Sequence, residues 1–162
     1  MKIEKELLKS LNNQINLEFV SAYLYLSLEL SFANMHLDGV AKWLKKQAIE
    51  ELEHAEKLML YMQNACYCVE LKEIPAPPQF TGTPLELFEV AYDHEKKVTE
   101  SLKSIAKKAD AIQDFVTLNL MREYLIEQIE EERKIFDIIS KIRLENASNC
   151  SILFLDKELS EL

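Results

Sequence analysis

The chain has 162 residues, 48% of them apolar and 29% charged, a composition that suits one compact domain burying roughly 70% of its unfolded surface. With 28 acidic against 19 basic residues the net charge is −9, which disfavours a nucleic-acid partner and favours cations. Gly39 and Gly82 are the only glycines, so Gly-rich phosphate loops and dinucleotide-binding fingerprints are excluded.

The first predicted helix runs from Ile3 to about Ala33, free of Pro and Gly, with Leu7, Leu11, Ile15, Ala22 and Tyr25 at helical spacing. Nothing at its start resembles a secretory signal, and its longest uncharged run, Phe19 to Leu28, is about half of a membrane span. A cytoplasmic protein without a membrane partner is therefore expected. Met35-His36-Leu37 makes a short connection, and Asp38 is expected to cap a second helix that runs through Trp43, Leu44, Ala48, Ala55, Leu58 and Met62 to about Ala65. Tyr67 to Gly82 holds Pro75, Pro77 and Pro78 and has no helical period, so it reads as an extended connection able to span ~50 Å.

Thr83-Pro84-Leu85-Glu86 spells a capping box with Pro at the first helical position. It opens a third helix that reaches about Lys108. After a polar break at Asp110 to Asp114, a fourth helix runs from Phe115 to about Leu144, near 45 Å long. Ser151 to Leu159 predicts a short fifth helix. Short, long and short connections imply an all-α, ferritin-like up-down-down-up four-helix bundle, with a long crossover between the second and third helices. One domain over 1–162 is expected, with the bundle at about 3–144 and the C-terminal helix at about 150–159. Cys66, Cys68 and Cys150 are odd in number, and Cys-x-Cys is too short for an ordinary disulfide or zinc pair. They read as reduced thiols.

Each long helix carries a carboxylate inside its apolar stripe. Glu18 lies among Leu11, Ile15, Ala22 and Tyr25; Glu51 among Leu44, Ala48, Ala55 and Leu58; Glu95 among Phe88, Ala91, Val98 and Leu102; Glu131 among Tyr124, Gln128, Ile135 and Ile138. A lone glutamate in such a place is ordinarily solvated. Four in four helices would converge in the core, where unpaired carboxylates cost several kcal/mol each unless cations compensate. Glu51-x-x-His54 adds an imidazole from the next turn, and oxygen-rich ligation with one imidazole suits iron or manganese. His36 and His94 read as solvated, Met59, Met62 and Met121 as packing residues, and Trp43 as part of an exposed outer face that calls for partner subunits.

Several stretches closely resemble the bacterial non-haem ferritins: Asn16-Leu17-Glu18 with Tyr25, Glu50-Glu51-x-x-His54, Tyr92-x-x-Glu95, Glu127-Gln128-x-Glu130-Glu131-Glu132, and the terminal Phe154-Leu-Asp-Lys-Glu-Leu-Ser160. The resemblance implies Glu18, Glu51 and His54 as ligands of a first iron and Glu51, Glu95 and Glu131 as ligands of a second, with Glu51 bridging and Gln128 beside the pair. It implies a third iron position at Glu50, Glu127, Glu130 and Glu131, and a hydrogen bond from Tyr25 near the first iron, with Tyr25 able to supply an electron. It further implies a ferroxidase that takes Fe(II) and O2 and stores Fe(III) as a mineral in a hollow homo-oligomer of 24 subunits. A non-catalytic metal-buffering or scaffold bundle and a di-iron peroxidase of the same superfamily are the alternatives. Bacterioferritins repeat Glu-x-x-His and carry a haem-binding methionine, whereas here Glu130 follows Glu127 and Leu52 holds the methionine's place, so no haem is expected. Glu123 stands where many relatives carry a tryptophan.

Overall fold

The computed structural model describes residues 3–144 and 149–161. Five helices follow one another: α1 (Lys5–Asn34), α2 (Asp38–Asn64), α3 (Pro84–Ala111), α4 (Phe115–Leu144) and α5 (Asn149–Ser160). There is no strand among the described residues. The crossover lies along α1 and is hydrogen-bonded to it at both ends: Asn12 and Asn16 bond Glu70 and Lys72, while Ser27 and Ser31 donate to the carbonyls of Pro78 and Phe80. It therefore travels the length of the bundle, and α3 starts at the end where α2 starts. The up-down-down-up order follows.

The helix ends explain how a chain with so little glycine turns so tightly. At the end of α1, His36 N–H bonds Ala33 C=O and Leu37 N–H bonds Phe32 C=O, with His36 at φ 59°. Cys66 at φ 62° and Gln113 at φ 59° repeat this Schellman geometry after α2 and α3. Each left-handed position is held by a side-chain-bearing residue where glycine would sit without strain. The Thr83–Glu86 capping box opens α3 as the sequence implies. Asp114 caps α4, its carboxylate accepting from the Thr117 N–H and hydroxyl.

Two expectations are corrected at α2. Asp38 is the first residue of the helix and makes no side-chain cap; Leu37 is the N-cap. The cap comes from α5 instead, where Asp156 Oδ1 accepts the Val40 N–H at 2.9 Å. Backbone contact between the two helices is so close that a Cβ on Gly39 would stand 1.9 Å from the Asp156 carbonyl oxygen. The same docking overturns the exposed reading of Trp43, which is buried with Leu155 and Leu159 of α5 and with Phe88, its ring 6.3 Å from the Phe88 ring.

The hydrophobic core is not continuous. One cluster, around Phe32, Leu44, Phe88 and Ile139, fills the end of the bundle under α5. A second, around Leu11, Leu58, Leu102 and Met121, fills the other end. Between them all four helices place polar side chains at core depth: Gln14, Glu18 and Ser21 from α1, Gln47 and Glu51 from α2, His94 and Glu95 from α3, and Gln128 from α4. Among the described residues, no helix is long and apolar enough to cross a membrane.

Candidate metal centre

The polar layer exists because each acid lies on the apolar stripe of its own helix, so packing the stripes together carries the carboxylates inward. Glu18, Glu51 and Glu95 are 1%, 3% and 1% exposed. Burial raises the pKa of all three above the ordinary carboxylate value, and mutual repulsion adds to it, Glu51 acting on Glu18 and Glu95 on Glu51. Glu18, Glu51 and His54 each offer one ligand atom, and these atoms lie within 4.8 Å of one another. His54 Nδ1 is 3.6 Å from Glu51 Oε2.

Hydrogen bonds from neighbouring side chains fix these groups. Gln14, fully buried, donates from Nε2 to Glu18 Oε1 at 2.8 Å, and the Ser101 hydroxyl donates to Gln14 Oε1. Glu18 Oε2 is left as a buried oxygen without a hydrogen-bond partner among the described residues. An acceptor held so deep with nothing to accept is expensive unless a proton or a cation meets it. Glu95 is held differently: Tyr25 O–H donates to Oε1 and Gln128 Nε2 to Oε2. These two bonds oppose the effect of burial on Glu95. Burial and the Glu95 charge together push the Tyr25 phenol well above its usual value. The layer therefore brings together three carboxylates, an imidazole and a carboxamide, all hard or borderline donors.

A family defined by its ferritin-like domain matches residues 8–145 of this sequence. The bacterial non-heme ferritin of Campylobacter jejuni is 37% identical over 142 residues, which is 88% of this chain and 85% of that protein. The chain belongs to the ferritin family. The bacterial non-heme ferritin of Escherichia coli O157:H7 is 32% identical over 160 residues, 99% of this chain and 97% of that one. The structure of an open-pore ferritin from the archaeon Archaeoglobus fulgidus matches with a TM-score of 0.96 at 39% identity, covering 99% of this chain and 98% of that one.

Within this ferritin fold the residues singled out from the sequence fall into three groups. Glu18, Glu51 and His54 meet as described. Glu95 and Gln128 stand against each other beside Tyr25, so the phenol bonds Glu95 and not one of the residues assigned to a first iron. Of the four acids assigned to a third position, Glu50 and Glu131 come together because Gln47 Nε2 donates to both, at 2.7 and 3.1 Å. Glu127 turns elsewhere, 3.2 Å from Lys57 Nζ and 3.6 Å from His54 Nε2, and Glu130 is exposed. Glu123, at the tryptophan position, lies 3.6 Å from Lys57 Nζ.

His94 corrects the sequence reading. It is 7% exposed and bonds Ser21 Oγ through Nε2 at 2.7 Å, and burial, with the nearby Lys97 charge, lowers its pKa to about 4. Ser21 already donates to the Leu17 carbonyl, so the imidazole Nε2–H is the donor to Ser21. His36 is exposed as expected, Met62 and Met121 are buried in the second cluster with Met59 packed against it, and Cys66 and Cys68 are free thiols on the surface. The Cys150 side chain lies outside the described residues. Gln14, Gln47, Ser101 and Lys134 took no part in the sequence reading, although Gln14 shows itself one turn before Glu18 on the same apolar stripe.

Proposed function

We propose that this chain is the subunit of an iron-storage ferroxidase, in which two Fe(II) ions bind as substrate in the polar layer and each gives one electron to O2, which takes up two protons and leaves as hydrogen peroxide. Glu18, Glu51 and His54 bind the first ion, Glu51, Glu95 and Glu131 the second, and Glu51 bridges them. Gln128 and Tyr25 orient Glu95 by donating to its two carboxylate oxygens. Glu50 and Glu131, which Gln47 holds together, are the core of a third, outer position that Glu127 and Glu130 complete once Glu127 leaves Lys57, and from it Fe(III) passes to mineral in the cavity of a homo-oligomeric shell of 24 subunits. A cytoplasmic protein without haem fits this reading.

The observation that carries it is the set of three buried carboxylates, Glu18, Glu51 and Glu95, from three different helices, two of which share a ligand cluster with the His54 imidazole. A fold that needed only stability would put leucines there, because burying unpaired acids costs several kcal/mol. Cations remove that cost, and transfer of Fe(II) from water to a site of anionic oxygens makes its oxidation easier by stabilising the higher charge. The similarity to proteins of C. jejuni and E. coli named bacterial non-heme ferritins supports a ferritin without haem.

Stopped-flow absorbance on mixing the metal-free protein with two Fe(II) per chain in aerated buffer tests it. Glu51→Ala and His54→Ala are expected to lose the fast phase by at least about a hundredfold, in keeping with loss of a ligand or its orientation. Wild-type initial rates in both variants would refute the assignment. The buffering and scaffold alternatives predict metal uptake without O2 consumption, which an oxygen electrode reads in the same experiment.

A further inference from the structure

Lys134 lies one turn beyond Glu131 on α4, with its ammonium 2.8 Å from Glu131 Oε1 and 4.0 Å from Glu50 Oε2. These two acids come from different helices and are drawn together by the Gln47 carboxamide. Two carboxylates so placed repel each other, and the ammonium supplies the positive charge at that point. A lysine ammonium carries its charge at neutral pH, so the ion pairs place a fixed cation between the two acids.

The inner acids have no such companion. Among the described residues, no lysine or arginine lies within ion-pair distance of Glu18, Glu51 or Glu95. The layer thus has a buried part whose charge is left for an incoming ion, and an outer pair that carries its own cation.

We propose that Lys134 is a built-in counter-ion that competes with metal for the Glu50–Glu131 pair and so sets how many ions each subunit takes. This rests on the reading of Glu18, Glu51 and His54 as metal ligands. A divalent ion fills the buried position first and enters the outer one by displacing the ammonium. The displacement is feasible: the Lys134 side chain is 43% exposed, and a lysine head on its flexible stem can swing into water while the stem stays packed. The Glu50–Glu131 pair then accepts metal at a higher concentration than the inner residues do.

The test is calorimetric titration of Zn2+, which cannot be oxidised, into the metal-free assembled protein at pH 7 and fixed ionic strength. Lys134→Met, which keeps the stem and removes the charge, is expected to tighten the weaker steps that use Glu131 and Glu50 by about tenfold or more, while the first step moves by less than about twofold. Lys134→Gln, neutral but polar, should behave as Lys134→Met does and guards against a packing artefact at this half-exposed position. Lys134→Arg keeps the charge and should titrate like wild type. A Lys134→Met curve identical to wild type would overturn the proposal, as would equal tightening in Lys134→Arg. His54→Ala separates this from the underlying reading: if it leaves the first step untouched, the ligand assignment fails whatever Lys134 does.

Discussion

Glu18 shows in one side chain what the centre is built to do. Gln14 occupies Oε1, itself held by Ser101, and Oε2 is left bare at 1% residue exposure. Glu18 and Glu51 have folded-state pKa values raised by burial and by each other. The folded protein without metal therefore binds more protons than the unfolded chain, and stability falls as pH rises above the ordinary glutamate value toward the raised one. Glu51→Gln keeps the shape and removes that charge, so it should melt higher than wild type at neutral pH, by about 1–4 kcal/mol, with the difference vanishing near pH 4. His94, lowered to about 4, acts oppositely in both proteins: its contribution is lost as pH falls from the ordinary histidine range toward 4. Metal-free thermal melts of the two proteins from pH 4 to 8 read the difference. The acids were legible in the sequence because a charge inside an apolar stripe is conspicuous on one helix at a time. His94 was not, because Ser21, which makes its burial tolerable, lies on α1, and Lys134 and Gln47 likewise gain meaning only across the α2–α4 contact.

Helix boundaries show the same division between local and tertiary signals. The α3 start was legible to the residue, since Thr83, Pro84 and Glu86 act on one another within a single turn. The α3 end lies at Ala111, three residues beyond the expected one, because the usual glycine signal is missing and Gln113 takes the left-handed position. Gln113→Gly should relieve that strain and stabilise the protein by about 0.5–1 kcal/mol, measured as a rise in denaturation midpoint. Asp38 misled for a different reason: the α2 N-terminus is served by Asp156, over a hundred residues away in the sequence. Gly39→Ala should push α5 from its seat, costing about 1–3 kcal/mol and raising the hydrogen exchange of α5 amides above that of α3. Unchanged protection across α5 would contradict this packing.

On the scale of the whole molecule, the bundle leaves large apolar side chains in water. Leu30, Leu60, Phe115, Val116, Ile126 and Ile129 are each more than half exposed, as is Phe154 on α5. Trp43 is not among them. The four-helix order was legible from connection lengths alone, because only an extended segment of that length can return the chain to the starting end. The division of the core into two clusters by a polar layer was legible only in part, since the acids, Tyr25 and Gln128 were visible in the sequence and Gln14, Gln47 and Ser101 were not. Under the proposed function this layer works with assembly, Fe(II) being oxidised inside each bundle and kept inside a shell. Aerobic Fe(II) titration, with oxygen uptake recorded and the product resolved by size-exclusion light scattering, tests both halves at once. Rapid O2 consumption at two Fe(II) per chain is expected, with iron co-eluting with a large, monodisperse assembly well beyond that ratio. Slow oxidation equal to that of free Fe(II), or a stable monomer that carries no iron, would contradict it.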